Sequence, residues 1–340
     1  MGFRHWLGGA MRATIGPERT ERVRASEQRV RQRLATRLAG GSPASAPAPA
    51  APKAAPSAAS GWRPSDPFAS FPKPPMTRHE LLTALHEQLA PRRYFEIGVN
   101  DGQSLVLSRT RSIGVDPAFK VTREIHCDVQ LVRATSDDFF ARDDAFAHFD
   151  GEPIDLAFID GMHLAEFAFR DFVNVEAHLA RTAVVVFDDV LPRNGLEAAR
   201  DRATSAWAGD VYKSIESLLR RRPDLAVLLV NTAPTGTAVI VGVDPDYACG
   251  EADYLAERAS LESPDPQRPP QEWLERTIAV DPEQLLELPV WGELARLREQ
   301  ASPDLAPILA ALRALPTIGG VPLSAPDAAA GAAGRAASPA

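Results

Sequence analysis

Two apolar runs that stop abruptly in acid constrain this chain more than anything else in it. They are Ile154-Asp-Leu-Ala-Phe-Ile-Asp160-Gly-Met-His163 and Val184-Val-Val-Phe-Asp188-Asp189. Each has the length and residue types of a buried strand. A buried strand that ends at a carboxylate delivers it to the sheet edge, where open α/β sheets bind ligands. On adjacent strands, Asp160, His163, Asp188 and Asp189 converge on one small volume, as three hard oxygen ligands and a titratable base.

The flanking pattern alternates in the same way. Arg93–Gly98, Ser112–Asp116, Val129–Ala134, 154–160, Thr182–Asp189, Leu225–Val230 and Ala238–Val243 read as strands. Helical patterns fall at Gln103–Arg109, Asp137–Phe149, His163–Ala180 and Gly209–Arg222. Thr77-Arg-His-Glu80 is a capping box ahead of Leu81, Leu82, Leu85 and Leu89 at helical spacing. The link around Pro234-Thr-Gly236 is too short for a crossover helix, so the last two strands form an antiparallel hairpin. The expected fold is α/β: a Rossmann-like, seven-stranded, mostly parallel sheet with a final antiparallel hairpin and helices on both faces.

Domain limits follow from composition. Residues 1–40 form a basic arm, with a thin apolar stripe at Val23, Val30, Leu34 and Leu38 that suits a helix. A Pro/Ala-rich linker, expected to be disordered, spans 41–75, where 42–75 hold ten Pro and ten Ala. The folded domain is expected over 76–245, a C-terminal helical extension over 246–318 with breaks at Pro289, Pro303 and Pro307, and a frayed tail over 319–340. The extension suits either a cover over a substrate pocket or subunit pairing, so a homo-oligomer stays open. Residues 1–75 carry 12 Lys/Arg against 4 Asp/Glu, leaving 25 against 41 in the rest. The acidic body argues against nucleic-acid binding. The basic arm suits RNA, an anionic membrane, an acidic partner or plain solvation. No apolar run is long enough to span a bilayer and no secretory h-region opens the chain. With only Cys127 and Cys249 present, a reduced, cytoplasmic setting is expected.

Further candidates lie on the earlier strands. Glu96-Ile-Gly98-Val-Asn100-Asp-Gly102 places a carboxylate and two glycines at a strand end, where the backbone can approach a ligand. A three-glycine nucleotide loop would have glycine where Asn100 stands, and a tight turn in any α/β protein can look alike. The second strand also ends in acid, Ile113-Gly-Val-Asp116-Pro, about 20 residues on, where a carboxylate can accept from ribose hydroxyls. Thr135-Ser136-Asp137 offers small polar groups able to flank an adenine, although Asp137 taken singly reads as a helix N-cap.

With these motifs the chain resembles the class I S-adenosylmethionine (SAM)-dependent methyltransferases, nearest the branch of catechol-type and sugar- or macrolide-modifying O-methyltransferases. The resemblance covers about residues 77–245. It implies that Glu96, Gly98, Asn100 and Gly102 surround the methionine portion of SAM, that Asp116 takes the ribose, and that Ser136 and Asp137 lie near the adenine. It implies Mg²⁺ on Asp160, Asp188 and Asp189, with His163 as general base and Asp160 beside it. The acceptor is then a small hydroxylated molecule such as a sugar, glycoside or other secondary-metabolite group. Methyl transfer from a sulfonium needs donor and acceptor in line and the acceptor proton removed, which these residue types suit. By themselves, His163 reads as an ordinary helix-start residue and one of Asp188 and Asp189 as a cap. In Trp207-Ala-Gly-Asp210, Asp210 reads as an N-cap. Two other functions fit the same sheet: an NAD-dependent oxidoreductase, disfavoured by Asn100 and the later acids, and a non-catalytic SAM-fold adaptor.

Overall fold

A computed structural model describes residues 74–202, 207–247 and 249–320. The basic arm, nearly all of the linker and most of the 319–340 tail lie outside them. Thr77 caps α1 (Arg78–Leu89) with the expected reciprocal box: its hydroxyl accepts from the Glu80 amide, and the Glu80 carboxylate accepts from the Thr77 amide. Leu81, Leu82, Leu85 and Leu89 are fully buried.

The main sheet is built from β2 (Arg93–Ile97), β3 (Arg111–Val115), β4 (Val129–Val132), β5 (Ile154–Ile159), β6 (Leu179–Asp188), β7 (Ala226–Val230) and β9 (Thr237–Val241). Its order is β4-β3-β2-β5-β6-β9-β7. All pairings are parallel except those of β9, which runs antiparallel to both β6 and β7. The expected sheet and its closing hairpin are therefore present.

Side chains alternate across it. Leu156 and Phe158 of β5 join the cluster formed with α1 and the C-terminal helices. On the opposite face Phe139 of α2 (Ser136–Phe140) packs on Phe95, and Phe172 of α3 (Ala165–Glu176) on Phe187. The chain leaves β2 for β3 and returns to β5. The crevice at the carboxyl ends of those strands is thus the topological switch point.

Several elements depart from the sequence pattern. Gln103–Arg109 forms a single 3₁₀ turn at Leu105–Leu107. There the Ser104 hydroxyl donates to Glu96 and the Ser108 hydroxyl bonds that of Ser112, tying the turn to β2 and β3. Asp137–Phe149 splits into α2 and a 3₁₀ turn at Ala147–Phe149. A two-residue strand, β1 (Met76–Thr77), pairs in parallel with β8 (Thr232–Ala233), fixing the start of α1 beside the β8–β9 loop.

After β9 come α5 (Glu251–Leu261), α6 (Gln271–Leu274), α7 (Pro282–Glu287), α8 (Val290–Leu297) and α9 (Ala306–Arg313). Pro289 separates α7 from α8 as expected, whereas Pro307 sits in the first turn of α9 and starts that helix instead of breaking it. Trp291 is fully buried and donates to the Leu285 oxygen. Arg298 donates to the oxygens of Leu89 and Ala90 and pairs with buried Asp155 at 3.1 Å. Helices α7, α8 and α9 complete the core on the α1 side of the sheet, whereas α5 packs against α3 on the other face.

Candidate active site

Two loops meet at the switch point because of one glycine. Gly98 has φ +95°, and a Cβ there would lie 1.8 Å from the Asp160 oxygen. The Asp160 amide in turn donates to the Ile97 oxygen at 2.8 Å. The glycine loop and the β5 acid therefore occupy one crevice.

On the donor side, the Asn100 amide donates to Asp116 Oδ2 at 2.8 Å and the Ala118 amide to Oδ1 at 2.6 Å. Asn100 and Gly102 both adopt positive φ, +47° and +87°. Glu96 is not an open strand-end acid. It is fully buried and accepts from Tyr94 Oη and Ser104 Oγ, each at 2.7 Å. Burial pushes its carboxyl up to about 7. Ser136 bonds buried Asp171, and Asp137 pairs with Arg170 at 2.5 Å, while Thr135 supplies the cap of α2.

On the acceptor side His163 is pinned from several directions. Its Nδ1 lies 2.6 Å from the Trp207 oxygen and 3.1 Å from Asp189 Oδ2, and its Nε2 lies 3.5 Å from Asp160 Oδ1. The imidazole stacks on the Trp207 indole, with centroids 5.0 Å apart and planes 13° apart. Gly209, at φ +62°, lets its segment cross the His163 backbone, since a Cβ there would meet the His163 oxygen at 1.7 Å. Asp189 has φ +61°, a strained conformation for a residue with a side chain, and Thr235 Oγ1 donates to its Oδ1.

Strong fields result. Burial alone would lower the His163 imidazole, but Asp189 and Asp160 outweigh it and push the group up to about 9. Buried Asp188 is raised by burial and by Asp189 and Asp160, and Arg78 opposes this. Arg78 Nη1 lies 2.5 Å from Asp188 Oδ2.

One ligand atom each from Asp160, His163 and Asp189 falls within 4.8 Å of the others, a spacing that suits a single divalent cation. The expected trio of Asp160, Asp188 and Asp189 is thus arranged differently. Successive residues at a strand end point opposite ways, and Asp188 faces Arg78 while Asp189 turns to His163.

Asp210 is not the cap of the helix it precedes. That helix, α4 (Tyr212–Arg221), follows Val211, and Asp210 Oδ1 accepts from the Ala165 amide at the start of α3. Asp210 also pairs with Arg200 and Lys213. The sequence reading did not find Arg78, Gly209, Thr235 or Arg276. Arg276 is buried and donates to the oxygens of Thr232, Leu191 and Pro234 and to Asn231 Oδ1. Gly209 lay in a stretch flagged as functional, Arg78 in one read only as a helix cap and Thr235 in one read only as a hairpin link; their roles come through contacts distant in sequence.

Residues 95–190 match the model of a family described as a methyltransferase domain. No curated protein sequence matches the chain. Among solved structures it is similar to an O-methyltransferase from Bacillus cereus in complex with SAH. That match has 15% identity, covers 53% of this chain and 87% of the other, and has a TM-score of 0.35. It is also similar to the O-methyltransferase TomG from Streptomyces achromogenes, in complex with SAM (20%, 48% and 78%, 0.36). A third is the MycE methyltransferase of the mycinamycin biosynthetic pathway, in complex with Mg and SAH (16%, 49% and 49%, 0.34). Among the described residues no helix is long and apolar enough to cross a membrane.

Proposed function

We propose that this chain, whose residues 95–190 match a methyltransferase-domain family, moves a methyl group from SAM to a hydroxyl of a small molecule, a sugar, glycoside or other secondary-metabolite group, with His163 as general base. The observation that carries this reading is the contact of His163 Nδ1 with the Trp207 main-chain oxygen. A carbonyl oxygen only accepts, so the 2.6 Å contact to Trp207 keeps a proton on Nδ1. Nε2 is then the atom that exchanges a proton, and it lies on the side of Asp160, whose backbone touches the glycine loop.

The residues divide the work. Gly98, Asn100 and Gly102 let the loop backbone approach the methionine portion, and Asp116 lies at the strand end suited to the ribose. Ser136 and Asp137 are the residues proposed near the adenine. Glu96 braces the loop through Tyr94 and Ser104. His163 Nε2 would take the acceptor proton as the acceptor oxygen bonds the methyl carbon and the methyl–sulfur bond of SAM breaks, leaving S-adenosylhomocysteine, while Asp189 and the Trp207 oxygen would hold the imidazolium that forms.

The donor set fits a divalent cation, Mg²⁺ by its carboxylates, held by Asp160 and Asp189 with Asp188 adjacent. When bound it would polarise the acceptor hydroxyl and offset the negative field of the aspartates. A SAM-consumption screen over glycosides, phenols and polyketides, with and without Mg²⁺, tests the reading. Titration calorimetry that finds NAD bound and SAM ignored would overturn it.

A further inference from the structure

Three carboxylates crowd this site, and the chain supplies its own cation against them. Arg78 is the first residue of α1, and its backbone is anchored twice. Thr77 and Glu80 lock the helix start, and β1 pairs with β8, two residues before the Thr235 that holds Asp189. The guanidinium is thereby carried to Asp188 by a helix start anchored beside the loop that holds Asp189. Asp188 is 2% exposed, so its ionised form needs a charge beside it.

Arg78 meets that need imperfectly. Its Nη1 is 2.5 Å from Asp188 Oδ2, yet Arg78 Nε has no hydrogen-bond acceptor and Asp188 Oδ2 has no well-aligned donor. Charge holds the pair, with little help from hydrogen-bond geometry. The field on Arg78 comes from Asp188, Asp160, Asp189 and Asp101 together, which outweigh the cost of its burial.

We propose that Arg78 is a built-in counter-cation that competes with a divalent metal for the acidic cluster and so weakens the affinity of the site for it. With Arg78 in place, Asp188 is engaged and the metal is left with the carboxylates of Asp160 and Asp189. Without it, Asp188 becomes a third carboxylate for the metal and one opposing charge is gone. The inference rests on the divalent-cation reading of the site, and its test is independent of methyl transfer.

The test is binding of Mn²⁺ alone to the full chain, followed by electron paramagnetic resonance of the free ion, for wild type, Arg78→Met and Arg78→Lys. Removing one unit charge a few ångströms from the metal should tighten binding about tenfold in Arg78→Met. Arg78→Lys, with a shorter ammonium, should show a smaller gain and carries the test should the Met variant not fold. The gain should vanish in Arg78→Met/Asp188→Asn, because both act through one pair. Equal or weaker Mn²⁺ binding in the Arg78 variants overturns the proposal, and so does a gain that survives in the double variant. SAM titration of the same samples reports separately on the methyl-transfer reading.

Discussion

The imidazole of His163 is fixed by a backbone atom: its Nδ1 lies 2.6 Å from the Trp207 main-chain oxygen, and the two rings are stacked. No side-chain substitution at Trp207 removes that acceptor. The tautomer of His163 is therefore set by the path of the chain, while Asp189 and Asp160 set its basicity.

If Nε2 takes the acceptor proton, His163→Ala should lower kcat by about 10²–10⁴-fold and leave SAM affinity unchanged. Without divalent cation the imidazole titrates near 9, and only its neutral form accepts a proton. The rate should then rise with pH up to that value. Mg²⁺ should move this limb to lower pH, because it offsets the aspartates that raise the group. Steady-state rates across pH, with and without Mg²⁺, check both points. A limb that persists unchanged in His163→Ala would rule out the assignment.

Gly209→Ala should be costly despite its small size. The new Cβ would lie 1.7 Å from the His163 oxygen, at a φ of +62° that disfavours any side chain. A loss of about 2 kcal/mol or more is expected, near 2–4 °C in Tm per kcal/mol for a domain of this size. Because the strain falls on His163 itself, kcat should drop with it. Unchanged Tm and kcat would show that the segment relaxes freely.

Glu96 predicts how stability varies with pH. Burial raises its carboxyl from an ordinary 4.5 to about 7 in the folded chain. Between those values the folded state holds a proton that the unfolded state has lost. The contribution is fully present below about 4.5 and is lost as pH rises through 7, roughly 3 kcal/mol in all. Asp171, also pushed up to about 7 by burial, tilts the curve the same way. Glu96→Gln should flatten the decline of Tm between pH 5 and 8 while part of it remains. Parallel curves for the two proteins would exclude Glu96 as a source.

What was legible in the sequence depended on how local its cause is. Strand ends announced themselves because apolar runs stop at Gly98, Asp116, Asp160 and Asp188, and the Thr77 cap needs only four residues. His163 was legible because it follows Asp160 closely. The partners that decide its chemistry were not: a carbonyl at Trp207 leaves no residue-type signal, and the hydroxyl of Thr235 reaches Asp189 only through the fold. Arg78 belongs to the same class, since an ion pair between the start of α1 and the end of β6 has no sequence period. Asp210 was misread for the converse reason. It looks like the cap of the next helix, yet the sheet places it against the start of α3.

Arg276 carries the last prediction. It lies between α6 and α7, is 2% exposed, and gives its hydrogen bonds to main-chain oxygens of Leu191, Thr232 and Pro234 and to Asn231 Oδ1. Burial pushes the guanidinium down to about 9. These acceptors flank Thr235, whose hydroxyl holds Asp189, and the Leu191 amide donates to the Thr235 oxygen at 2.6 Å. Arg276 is therefore a positioning residue: it touches no reacting atom, and it orders the loop whose Thr235 holds Asp189 beside His163. Arg276→Met keeps volume but strands buried carbonyls, a loss of about 3 kcal/mol or more. Arg276→Lys should recover part of that stability. Since Gly98 and Asn100 follow β2 and Asp116 follows β3, away from this loop, kcat should fall about tenfold while SAM affinity stays as in wild type. A merely structural role would lower both together, and that result in calorimetry and steady-state rates would remove Arg276 from the organisation of the site.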